Sequence, residues 1–171
     1  MAEKTEEDNS TKNEFKDRHK TRIEFWTKLL NEVNQHENFT LFSNISPSKD
    51  NWIGAGAGFG SIAYNFVIGR NSARVELYMS NSKAEFNKFV FDNLMQQKNH
   101  IEKSFEKALI WKRLNNKKAC RIKSELTGVN VYNQDDWDTM INFLLIEMIT
   151  FEKVFIEPLI AIKKDLKNQT F

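Results

Sequence analysis

The sequence predicts an α+β domain: an antiparallel sheet built from two β-hairpins, with an N-terminal helix, a middle helix and a long C-terminal helix packed mainly on one face. Three observations predict it. Apolar positions step by three and four over residues 15–33 and again over 137–166. They alternate by two between Trp52 and Met79. The strands come as neighbouring antiparallel pairs and not as βαβ units, which leaves the helices to gather on one side.

Residues 1–13 carry no periodic apolar positions and are read as a disordered tail, with 14–171 as one domain. The first helical stripe is Phe15, Arg22, Ile23, Trp26, Leu29, Leu30 and Val33, closing at Asn34-Gln35-His36. Ser46-Pro47-Ser48 marks a loop. From Trp52 the period becomes two. Trp52, Gly54, Gly56, Gly58 and Gly60 share one parity, which continues as Ile62, Tyr64, Phe66 and Ile68. Past Gly69 the apolar parity is Ala73, Val75, Leu77 and Met79. A two-residue loop at Arg70-Asn71 sets Phe66 opposite Val75 and Tyr64 opposite Leu77, so register and apolar pattern agree.

Ser82-Lys83-Ala84-Glu85 reads as a capping box with Ser82 at the N-cap. The middle helix carries Phe86, Phe89, Val90 and Leu94 and ends near Lys98, with a short helical segment over 101–105. The second hairpin pairs 109–114 with 119–126. Its even-numbered loop puts Leu109 and Trp111 on the face of Cys120 and Ile122. Lys112, Arg121 and Lys123 then share the other face with Ile110. Asn133 is the expected N-cap of the last helix, with Asp135, Asp136 and Asp138 placed against the positive end of its dipole. The apolar stripe runs through Pro158, which predicts one long helix kinked there or two helices with a break.

Composition narrows the function. With 171 residues, 40% apolar and 28% charged, the chain has enough for a packed core, and wholesale disorder is excluded. A single cysteine forbids an intramolecular disulfide, and the start is acidic and polar where a secretory leader would be basic and apolar. Both point to a cytoplasmic location. Glu147, Glu152, Lys153 and Glu157 interrupt the most apolar segment, 140–162, so it reads as a core helix and not a membrane span.

No catalytic or cofactor motif is present. The run Gly54-Ala55-Gly56-Ala57-Gly58-Phe59-Gly60 has Phe59 and Ser61 where a dinucleotide fingerprint needs glycine. No Lys-Ser or Lys-Thr follows it for a phosphate loop. Close packing or a bend is the expected role. A restriction-type metal core needs an acid followed two residues later by lysine. Glu76 is followed there by Tyr78, and Lys123 precedes Glu125, the reverse order. Glu76 and Glu125 are better read as an ion-pair ladder with Arg74, Arg121 and Lys123. His19, His36 and His100 are scattered without ligand spacing, so no metal is called for. Cys120 lies on the apolar parity and reads as a buried, inert thiol.

Charge is uneven. Residues 51–130 hold thirteen basic and six acidic groups, while the flanking segments are net acidic. The basic groups concentrate over 98–123, where they can neutralise phosphates or pair with the acidic last helix.

Arg22-Ile23-Glu24-Phe25-Trp26, Trp52 with its glycine run, Ala73-Arg74-Val75-Glu76-Leu77-Tyr78, Ile101-Glu102 with Phe105 leading to Trp111, and Trp137 before a long helix occur in this order. The set resembles the bacterial family known as domain of unknown function 4268, across about residues 15–165. The resemblance implies no established activity. It implies either a stand-alone protein or a module that follows nuclease-like domains, and no nuclease domain is expected within these 171 residues. A tie to nucleic-acid metabolism or defence follows, with chemistry supplied by a partner.

The expectation is a non-catalytic module that contacts nucleic acid, or a nucleic-acid-processing partner such as a nuclease, through Lys112, Lys117, Lys118, Arg121 and Lys123. Arg74 and Tyr78 extend that surface. Two alternatives stand beside it. One is a degenerate metal-dependent nuclease using Glu76 and Glu125. The other is a homodimer formed through the long last helix, whose Phe143, Leu145, Ile149 and Val154 exceed one stripe.

Overall fold

In chain order the elements are α1 (Ala2–Val33), β1 (Trp52–Gly56), β2 (Ile62–Ile68), β3 (Ser72–Met79), α2 (Ala84–Gln96), α3 (Lys98–Phe105), β4 (Ile110–Lys112), β5 (Cys120–Thr127) and α4 (Trp137–Leu166). The structure is a computed structural model that describes the backbone of residues 2–171 and the side chains of 11–171.

Helix α1 starts well before its apolar stripe. The expected tail over 1–13 is helical from Ala2, and Met1 lies outside the described residues. Nothing from Ala2 to Glu14 is proline or glycine, and Glu, Lys and Ala favour helix without any burial. Residues 11–17 are exposed; the half-buried Arg22 reaches the Tyr132 hydroxyl (3.0 Å), and full burial begins at Phe25 and Trp26. The Trp26 indole N–H donates to the carbonyl of Asp50 (2.9 Å), and the Phe25 ring meets Trp137 edge-on at 5.4 Å. These contacts fasten α1 to the approach of β1 and to the start of α4.

The sheet has five antiparallel strands in the order β1-β2-β3-β5-β4. The first hairpin has the predicted register, Phe66 opposite Val75 and Tyr64 opposite Leu77. The second sets Trp111 opposite Ile122 and Lys112 opposite Arg121, again as the parity requires. The fifth strand is the addition to a two-hairpin plan. The glycine run does not prolong β2 but forms β1, which turns back so that Ile53 faces Phe66 and Ala55 faces Tyr64. Gly58 (φ 96°) and Gly60 (φ 54°) supply the left-handed backbone of that turn. A Cβ on Gly60 would stand 2.7 Å from the Phe86 ring, and one on Gly54 2.1 Å from Asn65 Oδ1.

One face of the sheet is core. Tyr64, Phe66, Val75, Leu77, Met79 and Ile122 are buried on it, and each contributes about 1.5–3 kcal/mol by leaving water. Helices α4 and α2 pack on β3 and β5, while α1 and α3 pack against α4. Helix α4 runs unbroken through Pro158. The proline removes one helical hydrogen bond. Burial of Phe151, Phe155, Leu159 and Ile162 along the same stripe keeps the helix whole. Phe143, Leu145, Ile149 and Val154 are half-buried against the core, so the domain covers much of the surplus apolar surface itself. Glu147 is buried within α4, where it accepts hydrogen bonds from Ser124 Oγ (2.8 Å) and Lys107 Nζ.

Two caps differ in outcome. Asn133 accepts from the Asp135 N–H (3.2 Å) and caps the 3-10 turn Gln134–Asp136 that leads into α4. The Ser82 capping box does not form, because Lys83 occupies the N-cap without a side-chain bond. The buried Asn87 organises the entry instead. Its Oδ1 accepts from the Asn81 N–H, and its Nδ2 donates to the Asn81 and Lys118 carbonyls.

Candidate functional site

Strand alternation sends Arg74, Glu76 and Tyr78 of β3, and Arg121, Lys123 and Glu125 of β5, to the face away from the core. A hollow of about 430 Å³ lies on this open face, and no helical residue lines it. Trp52, half exposed, stands at its β1 side. Beside Trp52, Gly54 and Gly56 leave β1 without side chains, opposite Asn65 and Ala63.

Glu76 is the centre of the hollow and is only 3% exposed. Its Oε2 lies 3.1 Å from Arg121 Nε and 3.4 Å from Arg74 Nε. The Arg121 N–H is not aligned on that oxygen for a hydrogen bond. Its guanidinium lies over the Tyr78 ring at 5.2 Å, a cation–π contact. Asn65, 4% exposed, places Nδ2 3.5 Å from Glu76 Oε1 and leaves its own Oδ1 without a donor. Lys123 Nζ sits 3.2 Å from Glu125 Oε2. The predicted ion-pair ladder is therefore present. Cross-strand neighbours alternate in sign, Arg74 opposite Glu125 and Glu76 opposite Lys123.

The tip of the second hairpin is different. Lys112, Lys117 and Lys118 are exposed, and none forms an ion pair among the described residues. The loop that carries two of them is built on Lys88. The Lys88 ammonium donates to the carbonyls of Arg113 (2.5 Å), Leu114 (2.9 Å) and Ala119 (3.2 Å). Leu114 is held at φ 53°, left-handed and unusual for leucine. Arg113 forks onto Asp92 (Nε–Oδ1 2.8 Å, Nη2–Oδ2 3.0 Å), and that hydrogen bonding holds the Asp92 carboxyl below its ordinary range. Cys120 is free and buried beneath the loop. Burial pushes its thiol up, against the pull of the Lys88 ammonium 3.3 Å away.

The seven predicted site residues thus divide. Arg74 and Arg121 converge on Glu76, Tyr78 lies beneath the Arg121 guanidinium, Lys123 is taken by Glu125, and Lys112, Lys117 and Lys118 form no ion pair among the described residues. The acids that neutralise the sheet charges come from the sheet itself and from Asp92 of α2. Helix α4 contributes Glu147, which takes Lys107. Trp52, Asn65 and Lys88 belong to the site without having been singled out for it. Asn65 had a signal, a lone amide inside the apolar run Tyr64-Asn65-Phe66. Lys88 had none, because its role exists only once α2 lies under the loop.

Among the described residues no group of three His, Cys, Asp or Glu side chains is placed to hold a metal ion. Glu76 and Glu125 are diagonal neighbours, and each faces a cation across the strands. No described helix is long and apolar enough to cross a membrane.

No curated protein and no solved structure matches the chain. The family model described as a domain of unknown function, DUF4268, matches residues 21–159, a span that includes all five strands and the whole open face. The chain belongs to the DUF4268 family.

Proposed function

We propose that the protein is a non-catalytic module that binds nucleic acid through the open sheet face and the adjoining hairpin tip. The observation that carries this reading is the trio Lys112, Lys117 and Lys118, exposed and unpaired beside an aromatic, arginine-bearing sheet face. Uncompensated lysines gain most from phosphates, because each contact releases a condensed counterion. Arg121, Arg74 and Lys123 are already paired, and their role is to shape the face more than to supply net charge.

The test is binding of labelled DNA and RNA across a salt series. A Lys112→Glu/Lys117→Glu/Lys118→Glu variant is expected to lose most of its affinity. Its log–log salt slope should shrink by roughly one per lost phosphate contact. Parent-like binding by that variant would remove the tip from the interface.

A further inference from the structure

We infer that the open face takes single-stranded nucleic acid, with an unstacked base in the Glu76 hollow and the strand's phosphates running to the hairpin tip. This rests on the nucleic-acid reading above and narrows it to one kind of ligand.

The argument begins with the distribution of charge. In the hollow the two guanidiniums share one carboxylate, which leaves one positive charge, and beside it Lys123 is matched by Glu125. A phosphate finds one unmatched charge there against three at the tip, whereas a neutral, planar, polar group has donors to accept from without displacing the carboxylate. At the tip the three lysines have no acid partner among the described residues. The surface therefore separates a place for bases from a place for phosphates.

Shape agrees with this division. Gly54, with no Cβ, leaves room for the Asn65 side chain to lie across β1, and Trp52 is 50% exposed at the rim of the hollow, free to stack on a base. Among the described residues, two of the three buried side-chain atoms without a hydrogen-bond partner, Asn65 Oδ1 and Arg121 Nε, belong to residues lining this hollow. Its polar set is thus short of partners of the kind a base edge supplies. The row Ala63, Tyr78, Arg121, Lys112 crosses four adjacent strands. At about 4.8 Å per strand, Tyr78 in the hollow and Lys112, the first free lysine, are about 10 Å apart, a span for a short stretch of strand. A duplex keeps its bases stacked and offers only groove edges, whereas this hollow is a recess in a sheet face that takes a base only once it is unstacked.

The test uses the full chain and labelled oligonucleotides of about twelve nucleotides: single-stranded DNA, single-stranded RNA and a duplex of equal length. Binding is read by fluorescence anisotropy at about 50 and 200 mM salt. Single strands are expected to bind about tenfold or more tighter than the duplex. Trp52→Ala should weaken single-strand binding by about fivefold or more with the salt slope unchanged, and Trp52→Phe should restore it. Circular dichroism of both variants confirms the fold. Equal affinity for single strands and duplex, or folded Trp52→Ala binding like the parent, overturns the base seat and leaves the nucleic-acid reading standing. If no oligonucleotide binds even at low salt, both readings fall.

Discussion

Arg121 Nε and Glu76 Oε2 stand 3.1 Å apart across the β3–β5 pair, and Arg74 reaches the same oxygen at 3.4 Å. One nearly buried carboxylate thus restrains two guanidiniums in the middle of an otherwise bare face. Removing its charge is expected to have two separable effects. Glu76→Gln should lower stability by about 1–3 kcal/mol, because charge-assisted contacts are lost on a buried site. It should also raise affinity for oligonucleotides, because two cations are released. A metal-dependent nuclease built on Glu76 would respond with lost cleavage instead. Denaturant titration and binding on the same preparation check both effects.

The glycine run should tolerate substitution unevenly. Gly54→Ala places a Cβ against Asn65 Oδ1, whose side chain is nearly buried. Gly60→Ala meets the Phe86 ring and requires a left-handed backbone. Each is expected to cost about 1–3 kcal/mol. Gly56→Ala meets nothing within 4 Å and should leave the unfolding midpoint within experimental scatter. Thermal melts of the three variants suffice, and uniform behaviour would contradict this account of the turn.

Lys88 is expected to act as the anchor of the hairpin tip. Lys88→Met leaves three carbonyls of the loop without their donor and should cost about 1–3 kcal/mol. Its signature is local. Amide exchange should accelerate over 113–119, including the Lys117 N–H that now donates to the Leu114 carbonyl at 2.8 Å, while protection along β3 persists. Unchanged exchange in the loop would show that the tip holds its shape without Lys88.

Stability should also carry a pH signature from Glu152. Burial holds this carboxyl above its ordinary range, and the neighbouring Tyr64 phenol is pushed up by its own burial and by Glu152. A carboxyl whose folded pKa exceeds its unfolded one binds its proton more tightly in the native state. Its contribution is complete below the unfolded value and declines as pH rises through the folded value. Glu152→Gln should therefore match the parent in acid and exceed it in stability near neutral pH. Denaturation curves at both pH values decide this, and a less stable variant near neutrality would show that the ionised carboxylate is favourable where it stands.

Local pairing was legible in the sequence because parity leaves one solution. Phe66 opposite Val75 and Trp111 opposite Ile122 each put the main apolar stripe of both strands on one face, with Val67 and Ile110 left on the other. That Glu76, Glu125, Arg74, Arg121 and Lys123 share the polar parity was legible for the same reason. Which cations remain free was not. Arg121 meets Glu76 only because β5 lies beside β3, a non-local choice that alternation within a hairpin does not encode. The separate strand β1 was hidden because its glycines share the parity of Ile62, Tyr64 and Phe66, while its buried Ile53 and Ala55 lie on the opposite one, and the turn that switches parity shows as positive φ at Gly58 and Gly60. Ser82 misled for a related reason. The sequence carries the capping pattern, but tertiary contacts made by Asn87 to Asn81 and Lys118 set where the helix begins.

The outermost strands of the sheet are meagre. β1 has five residues, two of them glycine, and β4 has three and ends in Lys112. Long, flat, apolar margins invite copies of a protein to zip together through their main chains, and short or charged ones discourage it. Both margins of this sheet are of the second kind, which disfavours edge-to-edge pairing between copies.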